Sequence, residues 1–207
     1  MQAQLKVTYV LILLMVLAFI PLTLAALPSP EYFGFSAAGF FQGRFWTPLT
    51  SIFIHVDAFH LATNMLFLYV FGNALENRVG GKKTISVFLA GGIVGLIAGI
   101  PFYSPFVIIV GSSIAVSALL GAVIVLNPSD KSSPLFLLLP LGLVAVIYVI
   151  FNAFMLLYDQ SGGVAWPSHI IGFCVGVFFG VLWRGNKKEQ TVGKRSVPFP
   201  VAQTESD

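Results

Sequence analysis

Polar side chains at the start of three apolar segments are of the types that catalyse acyl transfer. His60 and Asn64 begin one segment, Ser113 begins another within the run Gly-Ser-Ser-Ile, and His169 begins a third. A serine hydroxyl becomes an effective nucleophile when a neighbouring imidazole takes its proton. Hydrogen-bond donors beside the pair stabilise the negative oxygen that forms when the hydroxyl attacks a carbonyl. The residue types therefore predict a serine hydrolase site.

The spacing of these residues assigns a role to each. Ser113 is the predicted nucleophile, and His169 is its general base and then the acid for the leaving amine. His60 and Asn64 are four positions apart, so both lie on one face of a helix and can point a donor at the same oxygen. With the backbone N–H of Ser113 they would stabilise the oxyanion. Because no carboxylate is suitably placed to orient His169, we expect a two-residue dyad.

The segments that carry these residues are too apolar for a soluble fold. Of the 207 residues, 57% are hydrophobic and 9% are charged, and the mean hydropathy is +0.92. A helix needs roughly 20 apolar residues to cross about 30 Å of hydrocarbon. Six apolar runs approach or reach that length, over residues 7–27, 61–75, 85–102, 106–126, 135–157 and 167–183. Six buried helices would leave no polar shell, so the sequence predicts an all-α membrane protein with six spans.

The distribution of positive charge predicts the orientation of these spans. Lysine and arginine concentrate after the second, fourth and sixth runs, at Arg78, Lys82, Lys83, Lys131, Arg184, Lys187, Lys188, Lys194 and Arg195. By the positive-inside rule both termini are cytoplasmic, in what we expect to be the cell membrane. The net charge of +3 therefore follows the membrane and does not indicate nucleic acid. Spans two, four and six all run inward, so His60, Ser113 and His169 lie at a similar depth near the outer face.

Small residues predict that the fourth and sixth segments pack closely. Ser113, Ser117 and Gly121 share one face of the fourth segment, one turn apart. On the sixth segment a small-residue face continues from the histidine, through Gly172, Gly176 and Gly180. Such faces let two helix backbones approach each other in a membrane. Their contact would bring a hydroxyl and an imidazole together.

Two parts of the chain differ in composition from the apolar segments. Residues 28–59 lie between the first two spans and are rich in aromatic and apolar residues, with few charges. This composition predicts a first loop that is partly immersed at the lipid–water interface. After Trp183 the sequence becomes polar and charged. We therefore predict a membrane domain over residues 1–184 and a disordered cytoplasmic tail over residues 185–207.

Each candidate residue also has a less specific interpretation. Serines in membrane helices commonly bond a carbonyl one turn back, and His55, His60 and His169 could in principle hold zinc. No carboxylate or thiolate joins these histidines at helix spacing, so neither a metal nor a cofactor is expected. The single cysteine, Cys174, rules out an internal disulfide and serves as an apolar filler. A transporter would spread ionisable residues through the membrane depth, whereas here they cluster at one end.

In three places the sequence resembles the rhomboid family of intramembrane serine proteases, over roughly residues 46–180. The run 111–114 matches the family's G-x-S-x motif, and residues 60–64 match the H-x-x-x-N of its second helix. His169, Gly172 and Gly176 match the H-x-x-G-x-x-x-G of its last helix. The inner end of the family's second helix is also similar, at Gly72, Glu76, Arg78 and Gly80. Any one motif is weak, but three in this order are specific.

This resemblance implies a six-transmembrane-helix rhomboid-like bundle with a water-filled cavity open to the outside. It implies cleavage of single-pass or other transmembrane protein substrates near their outer ends, in the lipid bilayer, with no nucleic acid as partner. It also implies a first loop lying partly in the membrane. The alternative is a catalytically silent protein of the same fold that binds transmembrane segments. Loss of the serine or the histidine would mark that alternative, and neither is lost.

The sequence departs from the family's pattern at three positions. Ile114 follows the nucleophile where the family usually has glycine, and a β-branched side chain there would crowd the oxyanion pocket. Thr47 follows Trp46 where the family often has arginine. Ser117 stands where some relatives carry an aromatic residue that packs on the histidine. These departures bear on rate and loop anchoring and leave the predicted dyad in place.

Overall fold

A computed structural model describes residues 6–24, 29–128, 140–158 and 164–192. Within these ranges the chain is helical, and its β contact is a single antiparallel bridge between Phe35 and Ile109. The helices are α1 (Val7–Leu24), α2 (Ser29–Phe33), α3 (Ala37–Phe41), α4 (Thr47–Thr50), α5 (Ala58–Phe67), α6 (Asn73–Val79), α7 (Gly81–Gly99), α8 (Ser113–Leu126), α9 (Leu141–Tyr158) and α10 (Trp166–Val192). A π-helical turn, Leu68–Gly72, joins α5 to α6.

Three stretches of the described chain are long and apolar enough to cross a membrane, namely Ala58–Val79, Gly81–Phe102 and Trp166–Arg184. Three shorter apolar helices cover Val7–Pro21, Ser113–Leu126 and Gly142–Tyr158. Together they fall within or overlap the six apolar runs of the sequence. The prediction of an all-α membrane protein is confirmed, and the count of six crossings stays a prediction.

The fourth apolar run is not helical throughout. Helix α8 begins at Ser113, so residues 106–112 of the run predicted over 106–126 form a loop instead. Ile109 in this loop pairs with Phe35 of the first loop through two backbone hydrogen bonds of 2.9 and 2.7 Å. Hydropathy alone does not mark the change from loop to helix, because both parts are apolar. The start of the fifth predicted span, residues 135–139, lies outside the described residues.

Helix α8 forms the centre of the bundle, between α7 and α10. Its residues 114–123 are all buried. A Cβ atom at Gly91 of α7 would lie 2.1 Å from the Cβ of Ala118, and one at Gly176 of α10 would lie 1.8 Å from the carbonyl oxygen of Ala118. Both neighbouring helices therefore contact α8 through positions that tolerate no side chain. The predicted close packing of the fourth and sixth segments is confirmed, and α7 packs in the same way.

Helix α6 is joined to the start of α1 by one carboxylate. Glu76 accepts hydrogen bonds from the backbone N–H groups of Val7 and Thr8 at 2.7 and 2.9 Å, and from the hydroxyl of Thr8 at 2.7 Å. The first N–H groups of a helix have no partner within the helix, and the helix dipole favours a negative charge there. Glu76 therefore caps α1 from another helix.

Replacing Glu76 by alanine is expected to lower the free energy of unfolding by about 1–3 kcal/mol, because two N–H groups and a hydroxyl lose their acceptor. Glu76→Gln keeps one acceptor oxygen and should lose less. The measurement is the thermal unfolding midpoint in detergent, with Glu31→Ala at an exposed position of the short helix α2 as the control. An unfolding midpoint of Glu76→Ala equal to that of Glu31→Ala would contradict the capping role.

The described part of the first loop folds into three short α-helices and a 3-10 turn, Ser51–Phe53, and side chains bond to its own backbone. Arg44 donates to the carbonyl of Glu31, and the indole N–H of Trp46 donates to the carbonyl of Tyr32 at 3.2 Å. The loop is therefore anchored although Thr47 replaces the arginine of the family's pattern. The rings of Phe41 and Phe45 are 74% and 68% exposed. Their exposure supports the predicted immersion of this loop in the membrane surface, which stays a prediction.

The last helix is longer than the sixth apolar run. Helix α10 ends at Val192, so the boundary predicted between residues 184 and 185 falls inside it. The remainder of the predicted tail, residues 193–207, lies outside the described residues.

Candidate active site

Ser113 and His169 form a hydrogen-bonded pair. Ser113 is the first residue of α8, and His169 lies in the first turn of α10. The Ser113 Oγ and the His169 Nε2 are 2.8 Å apart. The imidazole is 8% exposed, and the ring of Trp166 contacts it edge-on with centroids 5.7 Å apart. The structure therefore brings together the two residues that were predicted to form the dyad.

Gly111 controls how the loop enters α8. Its φ angle is +108°, a conformation that is open to glycine and strained for other residues. Its N–H donates to the carbonyl of Ser51 at 2.9 Å, which ties the start of α8 to the first loop. A Cβ atom at this position would lie 2.6 Å from the Nε2 of His60. Glycine is required here both for the backbone turn and for the space that His60 occupies.

His60 and Asn64 lie beside the same turn. Asp57 caps α5 by accepting the backbone N–H of His60 at 2.7 Å, which fixes the first turn of that helix. The Asn64 amide donates to the carbonyl of His60 at 2.9 Å and its side chain is buried. A Cβ atom at Gly111 would lie 3.7 Å from the Asn64 Nδ2 and closer still to His60. Both predicted oxyanion residues therefore approach the chain two residues before Ser113.

Two cavities meet at Ser113. The first has a volume of about 190 Å³ and contains the side chains of His60, Ser113 and His169 in its wall. Loop residues complete that wall, at Val56, Tyr103, Val107, Ile108, Ile109, Val110, Val164 and Ala165, with Ile114 of α8. The second cavity, of about 240 Å³, lies between α5, α8 and α9 and is mostly apolar. Asn64, Ser117 and Tyr148 are among the residues that line it. Ser113 is thus accessible from both sides of the start of α8.

His55 is a buried neighbour of the site. It lies just before α5, is 4% exposed, and its ring contacts that of His60 edge-on at 5.1 Å. Burial, and secondarily the positive charge of a protonated His60, lower the pKa of His55 from 6.5 to about 4. His55 is therefore neutral near pH 7. It is a packing partner of the His60 ring.

The structure shows how two of the residues that depart from the family's pattern are accommodated. The Cγ2 methyl of Ile114 fits between α7 and α10, where a Cβ atom at Gly95 or Gly172 would lie 2.4 or 3.0 Å from it. Ser117 donates to the carbonyl of Ser113 at 2.7 Å and also bonds the hydroxyl of Tyr148 on α9. The isoleucine is accommodated by flanking glycines, and the serine links α8 to α9.

Sequence reasoning missed three aromatic residues around the site. Trp166 packs on His169, Tyr148 bonds Ser117, and Tyr103 bonds Ser168. The position of Trp166, three residues before the histidine, is a signal that could have identified it, because such residues share a helix face. No local pattern points to Tyr103 or Tyr148, which contact partners 65 and 31 positions away.

The fold and the site together define a helical membrane protein with a partly buried, hydrogen-bonded serine–histidine pair. A family model described as the Rhomboid domain matches residues 42–186. The chain therefore belongs to the rhomboid family.

The relatives that match this chain share modest sequence identity with it. The rhomboid protease GluP of Bacillus subtilis (strain 168) is 33% identical over 158 residues, which are 74% of this chain and 29% of that protein. The rhomboid protease GlpG of Salmonella choleraesuis (strain SC-B67) is 27% identical over 147 residues, 70% of this chain and 51% of that protein. The mitochondrial RHOMBOID-like protein 12 of Arabidopsis thaliana is 36% identical over 63 residues, 30% of this chain and 19% of that protein. The matched region thus spans about half or less of these relatives' length.

Proposed function

We propose that this chain is an intramembrane serine endopeptidase that cleaves transmembrane-helix substrates near the outer membrane face. The observation that carries the proposal is the 2.8 Å contact between the Ser113 Oγ and the His169 Nε2, on the wall of a cavity that also contains His60. Two named rhomboid proteases among the relatives support the same activity. Burying polar groups inside an apolar bundle is costly. A serine hydroxyl bonded to an imidazole there is therefore better explained by a chemical role than by packing.

The proposed reaction uses the residues in their predicted roles. The Ser113 Oγ attacks the carbonyl carbon of the scissile peptide bond while the His169 Nε2 accepts its proton. The carbonyl oxygen becomes negative and receives hydrogen bonds from Asn64, His60 and the backbone N–H of Ser113. His169 then protonates the leaving amine, and an acyl-enzyme remains on Ser113. A water molecule then attacks the acyl carbon while His169 takes its proton, the ester bond to the Ser113 Oγ breaks, and His169 returns the proton to that oxygen as the second product leaves.

The proposed topology has six membrane crossings and both termini in the cytoplasm, in the cell membrane. The asymmetry of lysine and arginine supports this orientation. Ser113, His169 and His60 lie in the first turns of α8, α10 and α5, and Asn64 lies one turn further along α5. The starts of these three helices share one side of the bundle in this topology. Cleavage would then occur within a few turns of the outer surface. No cofactor or metal enters the proposed reaction.

The first test is labelling of the purified protein in detergent with a fluorophosphonate probe, which reacts with activated serines. We expect the wild type to label and Ser113→Ala to lose the label. Ser112→Ala is the matched control, because this buried neighbour should leave labelling unchanged. Absence of labelling in folded wild-type protein would contradict the proposal and favour a silent rhomboid-like protein that binds transmembrane segments.

Replacing Asn64 by alanine is expected to lower kcat by about 10²-fold, the typical cost of losing one oxyanion donor. The loss should be smaller than that of Ser113→Ala, because His60 and the backbone N–H remain. Asn152→Ala is a matched control, since Asn152 is equally buried and its amide makes the same bond, 2.9 Å long, to the carbonyl one turn back on α9. A kcat for Asn64→Ala no lower than that of Asn152→Ala would contradict the oxyanion role.

A further inference from the structure

The catalytic histidine of the proposed dyad has few side-chain contacts that fix its orientation. In the described part of the chain, His169 bonds Ser113 and packs against Trp166, and no carboxylate accepts from its second ring nitrogen. In a triad such a carboxylate holds the imidazole in place. The position of the His169 ring therefore depends on the placement of the first turn of α10.

That turn is held by the hydroxyl of Tyr103. The backbone N–H of Ser168, which directly precedes His169, donates to the Tyr103 hydroxyl oxygen at 3.0 Å. The same hydroxyl donates to the Ser168 Oγ at 3.3 Å. Ser168 is 0% exposed, so water does not replace these bonds. A single tyrosine thus caps one of the free N–H groups at the start of α10.

The end of α7 has a gap that accommodates this contact. A Cβ atom at Gly99 would lie 2.1 Å from the Ser168 Oγ and 3.2 Å from the Cε2 of Tyr103. The missing side chain leaves room for the serine and the tyrosine ring on the same side of α7. One tightly packed junction therefore joins three segments: the end of α7, the loop after it and the start of α10.

Tyr103 also faces the reaction site. It lines the cavity of about 190 Å³ together with Ser113 and His169. Burial raises the pKa of Tyr103 above its usual value of about 10, against the opposing effect of its bonds with Ser168. The hydroxyl is therefore protonated at neutral pH and can donate and accept at the same time.

We propose that Tyr103 is a positioning residue for His169, acting through Ser168 to hold the imidazole at bonding distance from Ser113. The proposal rests on the proposed protease function. Tyr103 takes over, through the backbone of α10, the orienting task that a carboxylate performs through the imidazole in a triad. The loss of its hydroxyl leaves a buried N–H without an acceptor and frees the first turn of α10 to shift.

The expected effect is on the chemical step. A displacement of about 1 Å between reacting groups costs about 10²-fold in rate. We expect Tyr103→Phe, which keeps the ring, to lower kcat by about 10- to 100-fold with KM within about twofold of wild type. The rate of fluorophosphonate labelling of Ser113 should fall by the same factor. Ser168→Ala should lose less, because the backbone N–H keeps its bond to Tyr103, and the double variant should match Tyr103→Phe.

The experiment measures kcat and KM on a dye-labelled single-pass transmembrane protein that the wild type cleaves, the labelling rate, and the thermal unfolding midpoint. Tyr9→Phe, at an exposed position on α1, is the control for loss of a tyrosine hydroxyl. Backbone amide exchange of residues 164–172 supplies a readout independent of activity, and it should be faster in Tyr103→Phe.

Three outcomes would overturn the positioning role. The first is a kcat for Tyr103→Phe within twofold of wild type. The second is a rise of KM alone, which would make Tyr103 a substrate-binding residue of the cavity wall. The third is a loss of activity matched by an equal loss of folded protein, which would make the contact purely structural. A wild type that neither labels nor cleaves would instead contradict the proposed function and, with it, this proposal.

Discussion

Replacing Ser113 or His169 by alanine is expected to lower the rate of substrate cleavage by roughly 10⁴- to 10⁶-fold. In the proposed reaction the serine supplies the attacking oxygen, and without the imidazole at 2.8 Å its proton has no acceptor. Because the two side chains act as one unit, the double variant should be no slower than either single variant. The measurement is the cleavage rate of a transmembrane substrate by purified protein in detergent or vesicles.

The non-additivity of this pair separates catalysis from structure. Two independent structural losses would multiply in rate, whereas loss of a shared chemical step occurs only once. Ser112→Ala is again the control, since it changes a buried serine next to Ser113 without touching the pair. Full activity of His169→Ala would refute the dyad. A double variant much slower than both single variants would indicate that the residues act separately.

The helical segments of this fold were predictable because a helix that crosses a membrane must be made of apolar residues. Apolar runs of the required length mark where helices lie, and all six coincide with or overlap apolar helices of the structure. The start of the fourth span was predicted at residue 106, whereas α8 begins at Ser113. The loop before that point and the helix after it are both apolar. Hydropathy carries no signal there, and the change of direction is made by the positive φ of Gly111. Its role at that turn depends on space next to His60 that only the fold reveals.

The site residues were predictable for a related reason. A histidine or an asparagine is costly in hydrocarbon, so each one that remains is a candidate for function. This argument identified the four residues that the structure places around Gly111 and the start of α8. It could not identify Tyr103, because a tyrosine at the end of an apolar helix is ordinary in a membrane protein. Its significance comes from a contact with Ser168, 65 positions away.

The glycine face of α10 is the second feature on which the pair depends. Gly176 lies two turns beyond His169, and a Cβ atom there would be 1.8 Å from the carbonyl oxygen of Ala118 and 2.8 Å from its Cα. Both of these atoms belong to the backbone of α8, which has no rotamer to move out of the way. A methyl group at Gly176 must therefore push α10 away from α8.

Gly176→Ala is expected to destabilise the bundle by roughly 1–3 kcal/mol or more, the usual cost of overpacking. Cleavage should fall by about 10²-fold, because a shift of about 1 Å at α10 separates His169 from Ser113. The measurements are the thermal unfolding midpoint and the labelling rate of Ser113 in the fraction that remains folded.

Two further variants on α10 are expected to lose less stability and activity than Gly176→Ala. At Gly180 the nearest atoms to a new Cβ are the Cβ of Val125 at 2.8 Å and the carbonyl oxygen of Ala122 at 3.0 Å, so Gly180→Ala should lose less. Cys174 is exposed, and Cys174→Ala should match wild type. The expected order of loss follows the depth of the clash with the α8 backbone. If Gly176→Ala kept wild-type stability and labelling, the contact between the two small-residue faces could not be what holds the histidine against the serine.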